Sequence, residues 1–163
     1  MPAILFVCTA NRIRSPLAEY LCRARLNKLA PEQANAWRVE SAGAWAKPGL
    51  PATQNAIEVA HNAGLDLSQH VSRPIESVDF GDYAVVLTME VGQRNALRAE
   101  HPHMRERIRT LAEAAIGIAY DVADPIGQPA HQYEATLREI DDLLAKALPL
   151  LLNSFNSPSQ ATA

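Results

Sequence analysis

Cys8 and Arg14 stand six residues apart, and Ser15-Pro16 follows directly. That pairing suits one chemistry. A thiolate is a strong nucleophile, and a guanidinium fork grips two oxygens of a phosphate or sulfate. The intervening loop Thr9-Ala10-Asn11-Arg12-Ile13 lies between an apolar run and a helix start. Its backbone N–H groups can turn inward as an anion nest, with the positive end of the helix dipole behind them. Arg14 is placed to fold back over the loop, and Ser15 to donate its hydroxyl to the Cys8 sulfur. Both favour thiolate over thiol. The same groups hold three phosphoryl oxygens and align phosphorus for in-line attack by sulfur. Asn11 is the loop residue that tolerates a left-handed backbone.

In-line displacement also needs an acid for the leaving oxygen. The candidate is Asp124 in Asp121-Val122-Ala123-Asp124-Pro125, with Asp121 as substitute or helper. A carboxyl over an anion-filled site gives up its proton less readily, so it can protonate the leaving group and later activate water. Pro125 would fix the loop that aims it. The Cys–Arg spacing alone is weak evidence. With 12 Arg in 163 residues, a given cysteine meets it by chance about one time in fourteen. The flanking strand and the Ser-Pro helix start sharpen it.

Those residues need a strand that ends at Cys8 and a helix that begins behind it. Ala3 to Cys8 is apolar throughout, as a strand covered on both faces would be. A helix is expected from Ser15 as N-cap, with Pro16 at the first helical position and Pro31 as its limit. Further strands are expected at 37–41, 83–89 and 108–111. Helices are expected at 51–63, closed by Gly64, and at 90–98. The segments 41–51 and 121–129 read as loops. A last helix from near Pro129 repeats Tyr133, Leu137, Ile140, Leu144, Ala147 and Leu151 along one face. Strands alternating with helices imply an α/β sandwich with a mainly parallel sheet. One domain over 1–155 is expected, with a polar frayed stretch from Asn153 onward and a tail over 156–163.

Composition narrows the function classes. The chain has 163 residues, is 48% hydrophobic, and carries 18 acidic against 15 basic side chains. That fits one soluble globular domain and argues against nucleic acid as a partner. No apolar stretch is long enough for a membrane span, and no export segment is visible, so a cytoplasmic location and no membrane partner are expected. Only Cys8 and Cys22 are present, which excludes a disulfide scaffold and a cysteine-rich zinc site. His101-Pro102-His103 is too tight for an ordinary ligand pair, and no metal site is expected. There is no Gly-rich dinucleotide fingerprint and no G-x-x-x-x-G-K-[ST], so no cofactor is expected.

Cys8 to Pro16 with Leu17-Ala18-Glu19 resembles the signature of low-molecular-weight protein tyrosine phosphatases. Ser41-Ala42-Gly43, Leu65-Asp66-Leu67-Ser68 with His70 and Arg73, Asp82-Tyr83 leading to Thr88-Met89, and Asp124-Pro125 follow in that family's order. The resemblance covers roughly residues 2–150. It implies a four-stranded parallel sheet flanked by helices in three layers, with the phosphate-binding loop after strand 1. It implies a phosphocysteine mechanism with Cys8 as nucleophile, Arg14 as phosphate clamp and Asp124 as acid/base. Asn11, Ser15, Ser41 and His70 resemble the network that holds the loop. The implied partner is a phosphotyrosine protein or a small phosphoester.

Four departures bear on this. Ala10 stands where the family usually has Gly, which is tolerated only if φ there is not positive. Ile13 replaces a frequent second cysteine, so no loop disulfide can form. Arg12 holds a position usually apolar or Thr, and a cation there favours acidic surroundings and disfavours phosphoarginine. Ile126-Gly127 replaces aromatic residues that grip a phosphotyrosine ring, leaving Trp45 as a candidate wall. Two other readings use the same loop. Arsenate reduction would need an external thiol, because residues 23–163 contain no Cys. An inactive phosphate or phosphopeptide module would have no need of Asp124.

Overall fold

The computed structural model describes residues 1–157. Four strands, β1 (Ala3–Cys8), β2 (Arg38–Gly43), β3 (Val85–Thr88) and β4 (Ile108–Thr110), form one sheet in the order β2-β1-β3-β4. Every pairing is parallel, with Cys8 opposite Gly43 and Val7 opposite Thr88. Parallel neighbours need crossovers, and helices on the faces supply them. The helices are α1 (Arg14–Leu29), α2 (Pro31–Ala34), α3 (Gln54–Asn62), α4 (Val91–Glu100), α5 (Leu111–Ile116) and α6 (Ala130–Asn156).

β1 is buried at all six positions, because both its faces carry a core. Ile4, Phe6 and Cys8 join the larger core with side chains of α1, α3, α5 and α6. Ala3, Leu5 and Val7 join Phe80, Leu97, Met104 and Ile108 on the α4 side. This alternation is the period-2 geometry of a strand, and it turns Cys8 toward the α1 face. Each large apolar side chain so buried contributes roughly 1.5–3 kcal/mol. The six periodic residues of α6 are all buried.

Several boundaries differ from the sequence expectation. α1 begins at Arg14 with Ile13 as N-cap, not at Ser15, because the Ser15 hydroxyl is taken up inside the loop. Pro16 remains in the first turn, where its missing N–H does no harm. β2 runs on to Gly43, and β3 is shorter, Val85–Thr88. α3 starts at Gln54 because Thr53 caps it by accepting the Ala56 N–H. Pro31 ends α1 but also opens the short α2. α5 was not anticipated, although Thr110-x-x-Glu113 forms a capping box and Gly117 closes it at φ 75°. Asn153 to Asn156 extend α6 and are not frayed. The expected tail beyond Ser157 lies outside the described residues. Among the described residues no helix is long and apolar enough to cross a membrane.

Candidate active site

β1 ends at Cys8 and α1 begins at Arg14, so the loop between them closes over the N-terminus of a 16-residue helix. The loop carbonyls point away from the cavity. Cys8 O accepts from Ala44 N at 2.9 Å, Thr9 O from Trp45 N at 2.8 Å and Arg12 O from Thr53 N at 3.0 Å. Asn11 O meets His70 Nε2 at 2.7 Å. Among the described residues the N–H groups of Thr9 to Ile13 donate to no protein acceptor. A row of free N–H groups at a helix N-terminus is an anion site.

Asn11 holds this shape. Its φ of 57° is the single positive value among the described non-Gly residues. Its amide nitrogen donates to Ser15 Oγ and Ser41 Oγ, both at 2.9 Å, and its Oδ1 accepts from Arg73 N at 3.0 Å. Ala10 is not in the left-handed region, so its Cβ is accommodated. The Ser41 hydroxyl donates to Glu19 Oε2 at 2.5 Å. Ser15 Oγ lies 2.9 Å from Cys8 Sγ and 3.4 Å from Ala42 O. With Asn11 occupying a lone pair, the Ser15 proton has the sulfur as its nearer acceptor. Among the described residues no buried side-chain N or O lacks a hydrogen-bond partner.

Arg14 is 1% exposed, and its guanidinium is anchored along one edge. Nη1 donates to Glu90 at 2.9 Å and to Val122 O at 2.8 Å. Nη2 makes two longer bonds of 3.3 Å, to Thr9 Oγ1 and Asp124 Oδ2. Longer bonds are weaker, so the Nη2 edge is the one free to turn to an incoming oxyanion. Asp124 Oδ1 also accepts from Ile126 N at 3.1 Å. Asp121 does not line the cavity that Asp124 lines: it accepts from Val91 N at 2.7 Å, at the start of α4.

Cys8, Ala10, Arg12, Ile13, Arg14, Thr53, Asp124 and Ile126 line one small cavity of about 70 Å³. Trp45 does not line it. Trp45 is 85% exposed and lines a separate groove with Phe80 and Leu97. The Trp45 backbone N–H supports the loop after β1.

Glu90 and Gln93 carry no sequence expectation, and Gly43, Arg73 and Tyr83 are motif residues to which the sequence alone assigns no role. Glu90 pairs with Arg14 while capping α4 in a box with Gln93, and Gln93 donates to Thr9 Oγ1 at 3.1 Å. Glu90-x-x-Gln93 before α4 was the available signal. Gly43 has no room for a side chain: an added Cβ would lie 2.6 Å from Thr9 O and 2.9 Å from Asn11 N. Arg73 donates to Ser41 O at 3.0 Å, to Tyr83 Oη at 3.1 Å and to Glu40 at 3.2 Å, and the Tyr83 hydroxyl bonds Glu40. Burial opposes the Glu40 charge, but the Tyr83 hydroxyl and the Arg73 guanidinium outweigh it. The carboxyl is held below its ordinary range. Burial, and then Glu40, push the Tyr83 phenol up. Cys22 is fully buried, which pushes its thiol up, so it makes a poor resolving thiolate.

The sequence profile of the family described as "Low molecular weight phosphotyrosine protein phosphatase" matches residues 3–157. A protein-arginine-phosphatase of Bacillus subtilis is 33% identical over 141 residues, 86% of this chain and 91% of its own. The probable low molecular weight protein-tyrosine-phosphatase EpsP of Ralstonia nicotianae is 30% identical over 84% of this chain and 87% of its own. The crystal structure of a low molecular weight protein tyrosine phosphatase from T. tengcongensis superposes with a TM-score of 0.83. It is 32% identical and covers 92% of this chain and 99% of its own.

Proposed function

The chain belongs to the low molecular weight phosphotyrosine protein phosphatase family, and from that premise we propose how its residues hydrolyse a phosphomonoester. Cys8 Sγ attacks phosphorus in line with the ester oxygen, forming an S–P bond as the P–O bond breaks. The free N–H groups of Thr9 to Ile13 and the Arg14 Nη2 edge hold the three non-bridging oxygens. Protonated Asp124 gives its proton to the leaving oxygen. It then takes one from water as that water attacks the phosphocysteine, releasing phosphate and the Cys8 thiolate. Ser15 supplies a hydrogen bond to sulfur at both stages. Ser41 and His70 act through Asn11 as positioning residues.

The preferred side chain is phosphotyrosine, ahead of a small phosphoester. EpsP and the T. tengcongensis protein carry tyrosine phosphatase names, and Ile126 offers an apolar wall for a ring. The B. subtilis relative is named for phosphoarginine. Here the Arg12 cation lines the cavity and opposes a cationic substrate. We infer a cytoplasmic site of action, since both cysteines are free thiols.

The observation that carries this reading is Cys8 Sγ beside Ser15 Oγ, in one cavity with Arg14 and Asp124. Its test is leaving-group dependence. Asp124→Ala should lose about 10²–10⁴ in kcat on phosphotyrosine and far less on an aryl phosphate with an acidic phenol. Equal losses on both would remove Asp124 from the acid role.

A further inference from the structure

Three cations or acids line the cavity, and one is unbalanced. Arg14 is paired with Glu90 and with Asp124. No carboxylate lies within ion-pairing distance of Arg12 among the described residues, whose ion pairs all involve other arginines. Yet Arg12 is held, not loose. Its Nε donates to Pro51 O at 2.8 Å, and its own carbonyl accepts from Thr53 N.

The anchor is itself fixed. Pro51 bridges to Val71. Just before it in the chain, Gly49 N donates to Ser72 O at 2.8 Å, Ser72 N to Leu50 O at 2.7 Å and Leu50 N to Ser72 Oγ at 3.0 Å. A clamped Nε leaves Nη1 and Nη2 as the donors without a protein acceptor among the described residues. The guanidinium plane is therefore set before any ligand arrives, which lowers the entropy lost on binding.

We propose that Arg12 is a second anion subsite, which reads a negative group carried close to the scissile phosphate. The occupant is the carboxylate of an Asp or Glu next to the phosphotyrosine in a protein substrate. The scissile phosphate already has the loop N–H groups and Arg14, so it does not need Arg12. A fork with two free N–H groups matches a carboxylate. The proposal rests on the phosphotyrosine reading above and names the sequence context for it.

The test is a kcat/KM series on phosphotyrosine peptides with Glu, Gln or Lys on either side, alongside p-nitrophenyl phosphate and a small aryl bisphosphate. The Glu peptide should exceed the Gln peptide by about fivefold and the Lys peptide by more, and raised salt should shrink the gap. In Arg12→Gln the Glu-to-Gln ratio should fall to about one. In Arg12→Lys part of it should return, since charge is kept without the fork. A preference for the bisphosphate with none for the Glu peptide would overturn the protein-substrate assignment. An Arg12→Gln loss equal on all substrates would show that Arg12 holds the scissile phosphate, and would overturn the second subsite. If the wild-type protein hydrolyses every substrate without preference, only this inference fails. If it hydrolyses none, the phosphatase reading fails with it.

Discussion

Around Cys8, Asn11, Ser15 and Ser41 are buried and Asn11 uses both amide atoms and its carbonyl. Around the cavity mouth, Ile126 is 58% exposed, and Trp45 stands beyond it in solvent. The inner half is over-determined: its geometry is fixed by bonds reaching to β2, α1 and the segment around His70 and Arg73. The outer half has one fixed side chain, Arg12, and otherwise exposed groups. Rigid placement serves a reacting phosphorus, which must meet sulfur in line. An open rim serves recognition of variable substrates, with one charge setting the preference.

The rigid inner half should be the more sensitive to substitution. Asn11→Ala should reduce kcat on p-nitrophenyl phosphate by about 10²-fold, because the loop loses its bonds and its tolerance for φ 57°. Trp45→Ala should change the same rate by less than about threefold, since its ring lies outside the cavity. Similar losses at both positions would erase the distinction between the halves.

A smaller effect concerns the frame behind the loop. Glu40 is held below its ordinary range by Tyr83 and Arg73. A carboxyl depressed in the folded state adds stability above its unfolded pKa. That stability is lost as pH falls through the folded pKa. The Tm gap between wild type and Glu40→Gln should therefore be largest above about pH 5 and close on acidification. A gap independent of pH would deny the ion network that role.

Why the inner half was legible in the sequence follows from its locality. Cys8, Asn11, Arg14 and Ser15 occupy one contiguous loop, so residue type and spacing carry the chemistry directly. The α/β alternation was legible for the same reason, since each strand and helix has its own periodicity. Positions that depend on other elements were not. Gly43 is required because β2 passes against the loop, and Glu90 reaches Arg14 from just beyond the end of the neighbouring strand β3. Asp121 and Asp124 look alike in the chain, but one caps α4 and the other faces Arg14. Ser15 has the residue type of an N-cap, yet its hydroxyl goes to the sulfur.

Hydrolysis through Cys8 requires a covalent S–P bond at its sulfur. Rapid-quench mass spectrometry during turnover of an aryl phosphate reads it directly. One phosphoryl group is expected on the peptide carrying Cys8, formed at the rate of phenol release and absent in Cys8→Ser along with turnover. Turnover that persists in Cys8→Ser, or that proceeds with no adduct formed at a competent rate, would contradict it.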